Sequence, residues 1–307
     1  MITITGLTKK FGNFQALKGI NLHVDKGEIY GFLGQNGAGK STTMNILAGL
    51  SRPTTGTCQV NGWDLAKVTH PGDLHIGYLP EEPSFYPWLT GRETLEYLGS
   101  RWSKGSKKAR IDEMLNWVGL SAAAHRRVGG YSRGMRQRLG MAAALFYDSA
   151  LILLDEPSSA LDPEGRNDVL RLIMDLKARG KTVFLSTHIL NDAERVCDRV
   201  GILTQGKMAV EKSLETLFTE NVKSIYDVVT PVEGIHQDLL KELERLPGIL
   251  GVETAGDKIS ISVDSPDREG KALLAFLAQS GLRIQSFALR RATLEDIFME
   301  EVGKNGH

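Results

Sequence analysis

Three things are scarce in this sequence of 307 residues: cysteine, an excess of either charge, and long apolar runs. The two cysteines, Cys58 and Cys197, lie far apart without the spacing of a metal-binding motif, so we expect two reduced thiols. Lysine plus arginine and aspartate plus glutamate number 37 each, so the chain lacks the basic surplus that non-specific binding to a nucleic-acid backbone needs. Nucleic acid is therefore not an expected partner.

The apolar runs are too short for a membrane span. The longest apolar zone, residues 141–154, is interrupted by Asp148 and Ser149, whereas a spanning helix needs ~18 or more consecutive apolar residues. The first residues alternate like a strand, with no charged segment followed by an apolar one, so we expect no signal peptide. These absences favour a cytosolic protein. A chain of this length predicts one large and one smaller domain, because domains usually run about 100–200 residues.

The N-terminal part is predicted to contain strands around a glycine-rich loop. Residues 20–24 alternate between apolar and polar, a turn follows at 25–27, and 29–33 form a short apolar run that leads directly into the loop. Residues 42–50 then have helical spacing. A further strand at 57–60 ends at Asn61-Gly62, a hairpin-type turn, and another strand is predicted at 76–79. This part of the chain is therefore partly antiparallel.

A helical region and a parallel strand pair follow. Between 90 and 147 the apolar residues recur with helical spacing, whereas 151–154 and 183–185 are short apolar runs typical of buried strands. A helix at 167–178 lies between these two strands, and a strand–helix–strand crossover implies a parallel sheet. The expected fold class is α/β.

The glycine-rich loop fits the P-loop pattern, in which glycines let backbone N–H groups turn toward phosphate oxygens beside a helix N-terminus. It consists of Gly34, Gln35, Asn36, Gly37, Ala38, Gly39, Lys40 and Ser41, followed by Thr42. We expect Lys40 to reach the β- and γ-phosphates of ATP and the Ser41 hydroxyl to bind Mg²⁺. The alternative, a glycine-rich turn without a ligand, leaves the lysine and the hydroxyl unexplained.

Two acids follow one another at the end of the strand at 151–154. P-loop enzymes hold their magnesium with a carboxylate in this position, and we expect Asp155 to supply it. Glu156 is placed to polarise the attacking water as a general base. Either acid alone could instead cap the following helix, but that interpretation does not explain both acids together with the P-loop.

The segment that precedes this strand by one short helix makes the prediction more specific. It has the sequence YSRGMRQR at residues 131–138 and resembles the signature motif of ABC ATPases. The resemblance implies that Ser132, Arg133 and Gly134 of one protomer close over the γ-phosphate held by the P-loop of the other, in a head-to-tail dimer. Ser132 also suits an ordinary helix N-cap. Arg133 replaces a common glycine, and it either favours the triphosphate by charge or points to solvent.

Further segments match the same family in order and spacing. Residues 159–162, SALD, resemble the D-loop, which implies a nucleotide contact for Asp162, and the STH at 186–188 implies that His188 bonds the γ-phosphate. Phe11 lies where the family has an aromatic that stacks on adenine, although it could equally belong to the core. The family's Q-loop glutamine aligns with Glu81, which implies an acidic magnesium ligand there, although Glu82 fits another register.

The strong motifs cover roughly the first 220 residues. They predict an ABC ATPase domain at 1–217 with an antiparallel β subdomain and a helical subdomain at about 83–147. Beyond it, strands at 225–229, 251–254, 259–263 and 282–289 and helices at 236–246 and 272–278 have the order of a small ferredoxin-like α+β domain, placed at 222–303 with a last helix at 294–301. The tail RATLEDIF at 291–298 is similar to ATPase subunits of bacterial exporters whose membrane halves are separate chains.

The resemblance implies an ATPase, with ATP and Mg²⁺ as cofactors, that drives export of a drug, lipid, polysaccharide or ion. It implies as partners a separate transmembrane permease and a second copy or a paralogous ATPase, at the inner face of the cell membrane. A rival prediction is a soluble ABC protein acting on nucleic acid or ribosomes. Those proteins carry two cassettes or a long coiled-coil insert, whereas this sequence has one P-loop and no extended heptad run. A catalytically silent module would lack Lys40 or Glu156.

Overall fold

The computed structural model describes residues 1–304, which divide into two compact units. The first comprises Met1–Glu215 together with the chain from Phe298 onward, and the second comprises Thr216–Ile297. The domain limits 1–217 and 222–303 stay a prediction. None of the helices in residues 1–304 has the length and apolar character needed to cross a membrane.

The elements of the described chain are numbered here in sequence order. The strands are β1 (Ile2–Phe11), β2 (Phe14–Val24), β3 (Ile29–Leu33), β4 (Thr55–Val60), β5 (Trp63–Asp64), β6 (Ile76–Leu79), β7 (Leu151–Asp155), β8 (Thr182–Thr187), β9 (Arg199–Thr204), β10 (Lys207–Ser213), β11 (Val222–Val229), β12 (Ile249–Ala255), β13 (Lys258–Val263) and β14 (Ser286–Arg291). The helices are α1 (Lys40–Leu47), α2 (Gly91–Leu98), α3 (Lys107–Trp117), α4 (Arg133–Leu145), α5 (Pro163–Ala178), α6 (Leu190–Val196), α7 (Leu214–Glu220), α8 (Gln237–Glu244), α9 (Pro266–Gln279) and α10 (Leu294–Lys304).

The central sheet of the first unit has the strand order β10-β9-β3-β8-β7-β6. All neighbours in it are parallel except β10, which runs antiparallel to β9 at the edge. Leu33 lies opposite Thr187 and Asp155 lies opposite Ser186. The carboxyl ends of β3, β7 and β8 therefore meet at one edge, which is where open α/β sheets bind their ligands.

A second, antiparallel sheet in the same unit has the order β2-β1-β4-β5. The predicted turn at Asn61-Gly62 joins β4 to β5, and both residues have positive φ, 51° and 82°. Two consecutive left-handed residues make the turn that suits a tight hairpin. The antiparallel part of the prediction is confirmed.

Capped helices α2, α3 and α4 form the helical part of the first unit. The N-terminus of α2 is a capping box, in which Thr90 Oγ1 accepts from Glu93 N at 3.2 Å and Thr90 N donates to Glu93 Oε2 at 2.8 Å. Helix α1 ends at Leu47, earlier than the predicted 50, because Gly49 has φ 72° and Leu50 N turns back to Asn45 O at 2.8 Å.

The second unit is built on an antiparallel sheet of order β12-β13-β11-β14. Numbered within the unit, this is the 2-3-1-4 order of a ferredoxin-like fold, and the element order is β-α-β-β-α-β. The predicted strand at 282–289 begins only at Ser286, because Gly281 has φ 75° and Leu282 N donates to Ser280 Oγ at 3.3 Å in a turn. The core contains Val228, Leu243, Ile259, Ile261, Val263, Leu273 and Leu277. With both units described, the predicted fold class is confirmed.

Candidate functional site

The loop between β3 and α1 depends on its glycines. Gly39 has φ 114°, a left-handed conformation that other residues rarely adopt, and a Cβ on it would lie 2.8 Å from Leu17 Cδ2. A Cβ on Gly34 would lie 2.5 Å from the backbone oxygen of Leu203. Gly39 is also the N-cap of α1, and no side chain caps the helix there. The first N–H groups of α1 therefore stay available to an anion such as phosphate.

A cleft of about 280 Å³ opens beside this loop. The residues that line it are Phe11, Phe14, Ala16, Asn36, Gly37, Gly39, Lys40, Ser41, Thr42, Glu81 and Glu156. The structure thus brings together the predicted aromatic residue, most of the P-loop and two of the predicted acids. Gln35 and Ala38 line an adjoining cavity of about 190 Å³ instead.

Lys40 forms a buried ion pair across the cleft. Its Nζ donates to Gly34 O at 2.7 Å and lies 3.2 Å from Glu156 Oε1, and both side chains are only 5 % exposed. The ion pair lacks hydrogen-bond geometry, so Glu156 Oε1 accepts no hydrogen bond within the described part of the chain. A buried carboxylate oxygen with spare accepting capacity fits a bound water at this position.

Asp155 ends β7 beneath the same loop and is 4 % exposed. Burial raises the pKa of Asp155, a hydrogen bond from the Ser186 hydroxyl lowers it, and the charges of Glu156 and Glu81 raise it again. The Lys40 ammonium lowers this pKa. Three acids therefore share a small volume with one lysine, and a divalent cation would offset their repulsion.

The magnesium ligands predicted from the sequence are Ser41, Asp155 and Glu81. Ser41 and Glu81 both line the cleft, whereas Glu82 lines a different groove. In residues 1–304 no group of three or more His, Cys, Asp or Glu side chains is arranged to hold a metal ion by itself. This donor set fits Mg²⁺, which keeps several waters and takes one or two protein ligands plus substrate phosphates.

Glu156 is held by His188 and by its own strained backbone. Its Oε2 lies 2.8 Å from His188 Nδ1 and accepts from His188 N at 3.3 Å. Since a carboxylate only accepts, we assign the proton to Nδ1. Glu156 has φ 47°, and a non-glycine residue in this region stores strain of about 1–3 kcal/mol, which is typical of functional sites.

The nucleotide contacts predicted from the signature motif and the D-loop do not line this cleft. Ser132 caps α4, because its Oγ accepts from Met135 N at 3.2 Å, and Asp162 caps α5, because its Oδ1 accepts from Gly165 N at 3.1 Å. Arg133 is exposed. Gly134 is half-buried, and an added Cβ would make only an ordinary contact, with Leu161 Cδ2 at 3.9 Å. Within one chain, these residues therefore lie outside the cleft.

Sequence reasoning missed two residues of the site. Phe14 lines the cleft with Phe11, and the two side chains are 64 % and 54 % exposed, so neither belongs to the core. The signal was a pair of phenylalanines flanking Gly12-Asn13, since the tip of a hairpin leaves both rings in water. One face of the Phe11 ring is covered by Lys9 Nζ, 5.0 Å from its centroid. The other missed residue is Ser186, whose hydroxyl has no recognisable sequence signal.

Comparison with known families matches both parts of the chain. A family model described as ABC transporter matches residues 17–159. A second model, described as the C-terminal domain of DrrA1-3-like ATP-binding proteins, matches residues 214–302. The two matches follow one another along the chain, and residues 160–213 lie between them.

Individual proteins match over nearly the whole chain. An uncharacterized ABC transporter ATP-binding protein of Bacillus subtilis (strain 168) is 38 % identical over 98 % of this chain and 99 % of its own length. The daunorubicin resistance ATP-binding protein DrrA3 of Streptomyces coeruleorubidus is 34 % identical over 98 % of this chain and 96 % of its own length. Among solved structures, a dimeric ATP-binding cassette in a post-hydrolysis state bound to ADP and Pi has a TM-score of 0.63 and 29 % identity. It covers 70 % of this chain and 99 % of that one.

Proposed function

Since this chain belongs to the ATP-binding subunits of ABC transporters, with a DrrA-like C-terminal domain, we propose that two copies close head to tail around two Mg-ATP molecules and drive export through a separate transmembrane subunit. The family hydrolyses ATP, and this chain is an ATPase. A paralogous ATPase could take the place of the second copy. The proposal places the protein on the inner face of the membrane, held there by the permease.

Each residue of the cleft has a distinct proposed role. Lys40 leaves Glu156 and pairs with the β- and γ-phosphates, which compete for its ammonium with more charge than one carboxylate. Glu156 Oε1 then accepts a proton from the attacking water, and His188 turns its Nδ1–H from Glu156 to donate a hydrogen bond to the γ-phosphate. Ser41, Asp155 and Glu81 would hold Mg²⁺ directly or through water, and the ion would neutralise part of the phosphate charge. Phe11 or Phe14 stacks on adenine.

The observation that carries the head-to-tail arrangement is the space around Gly134. Within the described chain a Cβ at Gly134 would meet no atom nearer than 3.9 Å, and glycine weakens a helix by up to about 1 kcal/mol relative to alanine. A close approach from outside the chain explains the glycine. The N-terminus of α4 beside it is capped by Ser132 but has no acidic residue in its first turn, so it still favours an anion such as the γ-phosphate held by the second copy.

The proposed contact with the permease is the groove that shares Glu81 with the cleft. This groove, of about 410 Å³, is lined by Glu81, Glu82, Pro83, Phe85, Arg133 and Arg136 among others. Near it in sequence, Tyr86 and Trp88 are 46 % and 62 % exposed, with ring centroids 5.0 Å apart. Exposed aromatic residues are enriched at protein interfaces. Glu81 would report the state of the nucleotide to this surface. Export, rather than import, is supported by the daunorubicin resistance relative.

The test is to trap the closed dimer. Glu156→Gln keeps the shape of the side chain but cannot take a proton, so with Mg-ATP it should form a dimer on size-exclusion chromatography while hydrolysis nearly stops. Adding Gly134→Asp should abolish that dimer and leave ATP binding by each monomer within about twofold, because Gly134 lies outside the cleft of its own chain. Gly72→Asp is the control, since a Cβ on Gly72 likewise meets no close atom, with nothing within 4 Å.

Two results would contradict the proposal. A Glu156→Gln protein that hydrolyses ATP at the wild-type rate would show that Glu156 is not the base. A dimer that forms equally well with Gly134→Asp and with Gly72→Asp would show that the surface of α4 does not face the second nucleotide.

A further inference from the structure

We propose that Ser186 is a positioning residue that fixes the carboxylate of Asp155 for Mg²⁺ binding. The inference rests on the proposed function, because it takes Asp155 as the metal ligand. Ser186 lies on β8 and is 0 % exposed, so its hydroxyl belongs to the protein interior rather than to the surface of the cleft.

The hydroxyl of Ser186 is held in one orientation. Its Oγ accepts a hydrogen bond from Glu156 N at 3.2 Å, and an N–H group cannot accept in return. The single hydroxyl proton is therefore free to point at Asp155, and Ser186 Oγ donates to Asp155 Oδ1. One buried hydroxyl thus contacts both acids at the end of β7.

This contact distinguishes the two oxygens of Asp155. Oδ1 is occupied by the Ser186 hydroxyl, which leaves Oδ2 for the metal ion or a water bound to it. The register of β7 with β8 keeps Ser186 opposite Asp155, so the bond does not depend on a flexible loop. Because Asp155 is only 4 % exposed, water has little access to replace the hydroxyl. Partners that orient a metal-binding carboxylate contribute about 10–100-fold to metal affinity.

Ser186 contacts Asp155 through its hydroxyl, but it contacts the backbone of Glu156 through its own backbone as well as through the hydroxyl. The backbone oxygen of Ser186 also accepts from Glu156 N, at 3.1 Å, and this bond survives removal of the hydroxyl. Ser186→Ala should therefore act mainly on metal binding. A matched control lies on the same strand: Thr182 is also 0 % exposed, and its Oγ1 accepts from Gly27 N at 2.8 Å.

The experiment measures Mn²⁺ binding to the full-length protein in complex with ADP by electron paramagnetic resonance, so no hydrolysis is needed. We expect Ser186→Ala to raise the Mn²⁺ dissociation constant about tenfold. Ser186→Thr, which keeps the hydroxyl, should stay within about threefold of wild type. Thr182→Val, which removes a buried hydroxyl elsewhere on β8, should bind Mn²⁺ as wild type does. In ATPase assays the Mg²⁺ activation constant should rise for Ser186→Ala with the ATP KM little changed.

The inference is tested by the Mn²⁺ affinity of Ser186→Ala relative to that of Thr182→Val. If Ser186→Ala binds Mn²⁺ no more weakly than Thr182→Val does, the inference is overturned. Asp155→Asn separates this failure from that of the proposed function. If Asp155→Asn weakens Mn²⁺ binding and Ser186→Ala does not, only the role of Ser186 is wrong. If Asp155→Asn also binds normally, the metal role of Asp155 is wrong and the inference falls with it.

Discussion

The proposed ATP site has two halves, the P-loop of one copy and the signature motif of the other. They differ in how many contacts their residues make within their own chain. In the P-loop half, Lys40 and Glu156 are each 5 % exposed and pair with each other, and Glu156 also contacts His188. In the signature half, Arg133 is exposed, and a Cβ on Gly134 would meet no atom nearer than 3.9 Å. The first half is therefore part of the folded core of its unit. The second half would be completed by the second copy in the proposed dimer.

The largest expected effect comes from removing the charge that joins the P-loop to the base. Lys40→Ala should lower ATP hydrolysis by at least ~100-fold, because a positioned charge near the transferring phosphate is lost. It should also destabilise the protein by about 3–5 kcal/mol in the absence of nucleotide, because the Glu156 carboxylate stays buried without its partner. A coupled ATPase assay and calorimetric unfolding measure the two effects.

The control for this variant is Lys67→Ala, since the Lys67 side chain is 83 % exposed and lies 3.9 Å from Asp64 in a surface pair. We expect Lys67→Ala to destabilise the protein by less than about 0.5 kcal/mol and to leave ATP hydrolysis unchanged. A Lys40→Ala protein that splits ATP normally would remove the distinction between the two halves.

A pair of glycine substitutions compares the halves directly. Gly34→Ala places a Cβ 2.5 Å from a backbone oxygen and should destabilise the first unit by about 1–3 kcal/mol. Gly134→Ala meets nothing nearer than 3.9 Å, so its unfolding temperature should stay the same or rise slightly, since alanine favours a helix. Both variants should lose ATPase activity. A Gly134→Ala protein that loses ATPase activity but not stability would indicate that this surface is completed by a second copy.

Equal destabilisation by the two substitutions would contradict this comparison, because it would mean that Gly134 is required by its own fold. Calorimetry suits the measurement better than a single denaturant midpoint, because a chain of two units need not unfold in one step. The transition of the first unit is the one to compare.

How much of this was predictable from the sequence depends on the range of the interactions involved. The P-loop, the two acids at the end of β7 and the helix cap at Ser132 are local patterns, which the sequence predicted at the ends of the elements observed. The ion pair of Lys40 with Glu156 joins residues 116 positions apart, calculated as 156 minus 40, and only the parallel sheet brings them within 3.2 Å. The hydrogen bond from Ser186 to Asp155 depends on strand register, which no local pattern in this chain specifies.

Some predicted element boundaries differ from the observed ones for a local reason that the spacing of apolar residues does not reveal. The strand predicted at 282–289 begins at Ser286 because a glycine turn occupies the preceding residues. Leu282 and Ile284 pack against the core of the second unit, although they lie in a loop and not in a strand. Hydrophobic spacing reports burial, and burial alone does not distinguish these two conformations.

The smallest expected effect concerns the aromatic residues at the rim of the P-loop half. Phe14→Ala should raise the ATP KM about fivefold with kcat within about twofold, because base stacking contributes roughly 1 kcal/mol to binding and not to the chemical step. Phe11→Ala should have a weaker effect, since the Lys9 ammonium already covers one face of that ring. Steady-state kinetics of the two variants rank them. If Phe11→Ala raises the KM more than Phe14→Ala does, the original prediction of Phe11 as the stacking residue stands, and Phe14 lines the cleft without contacting the base.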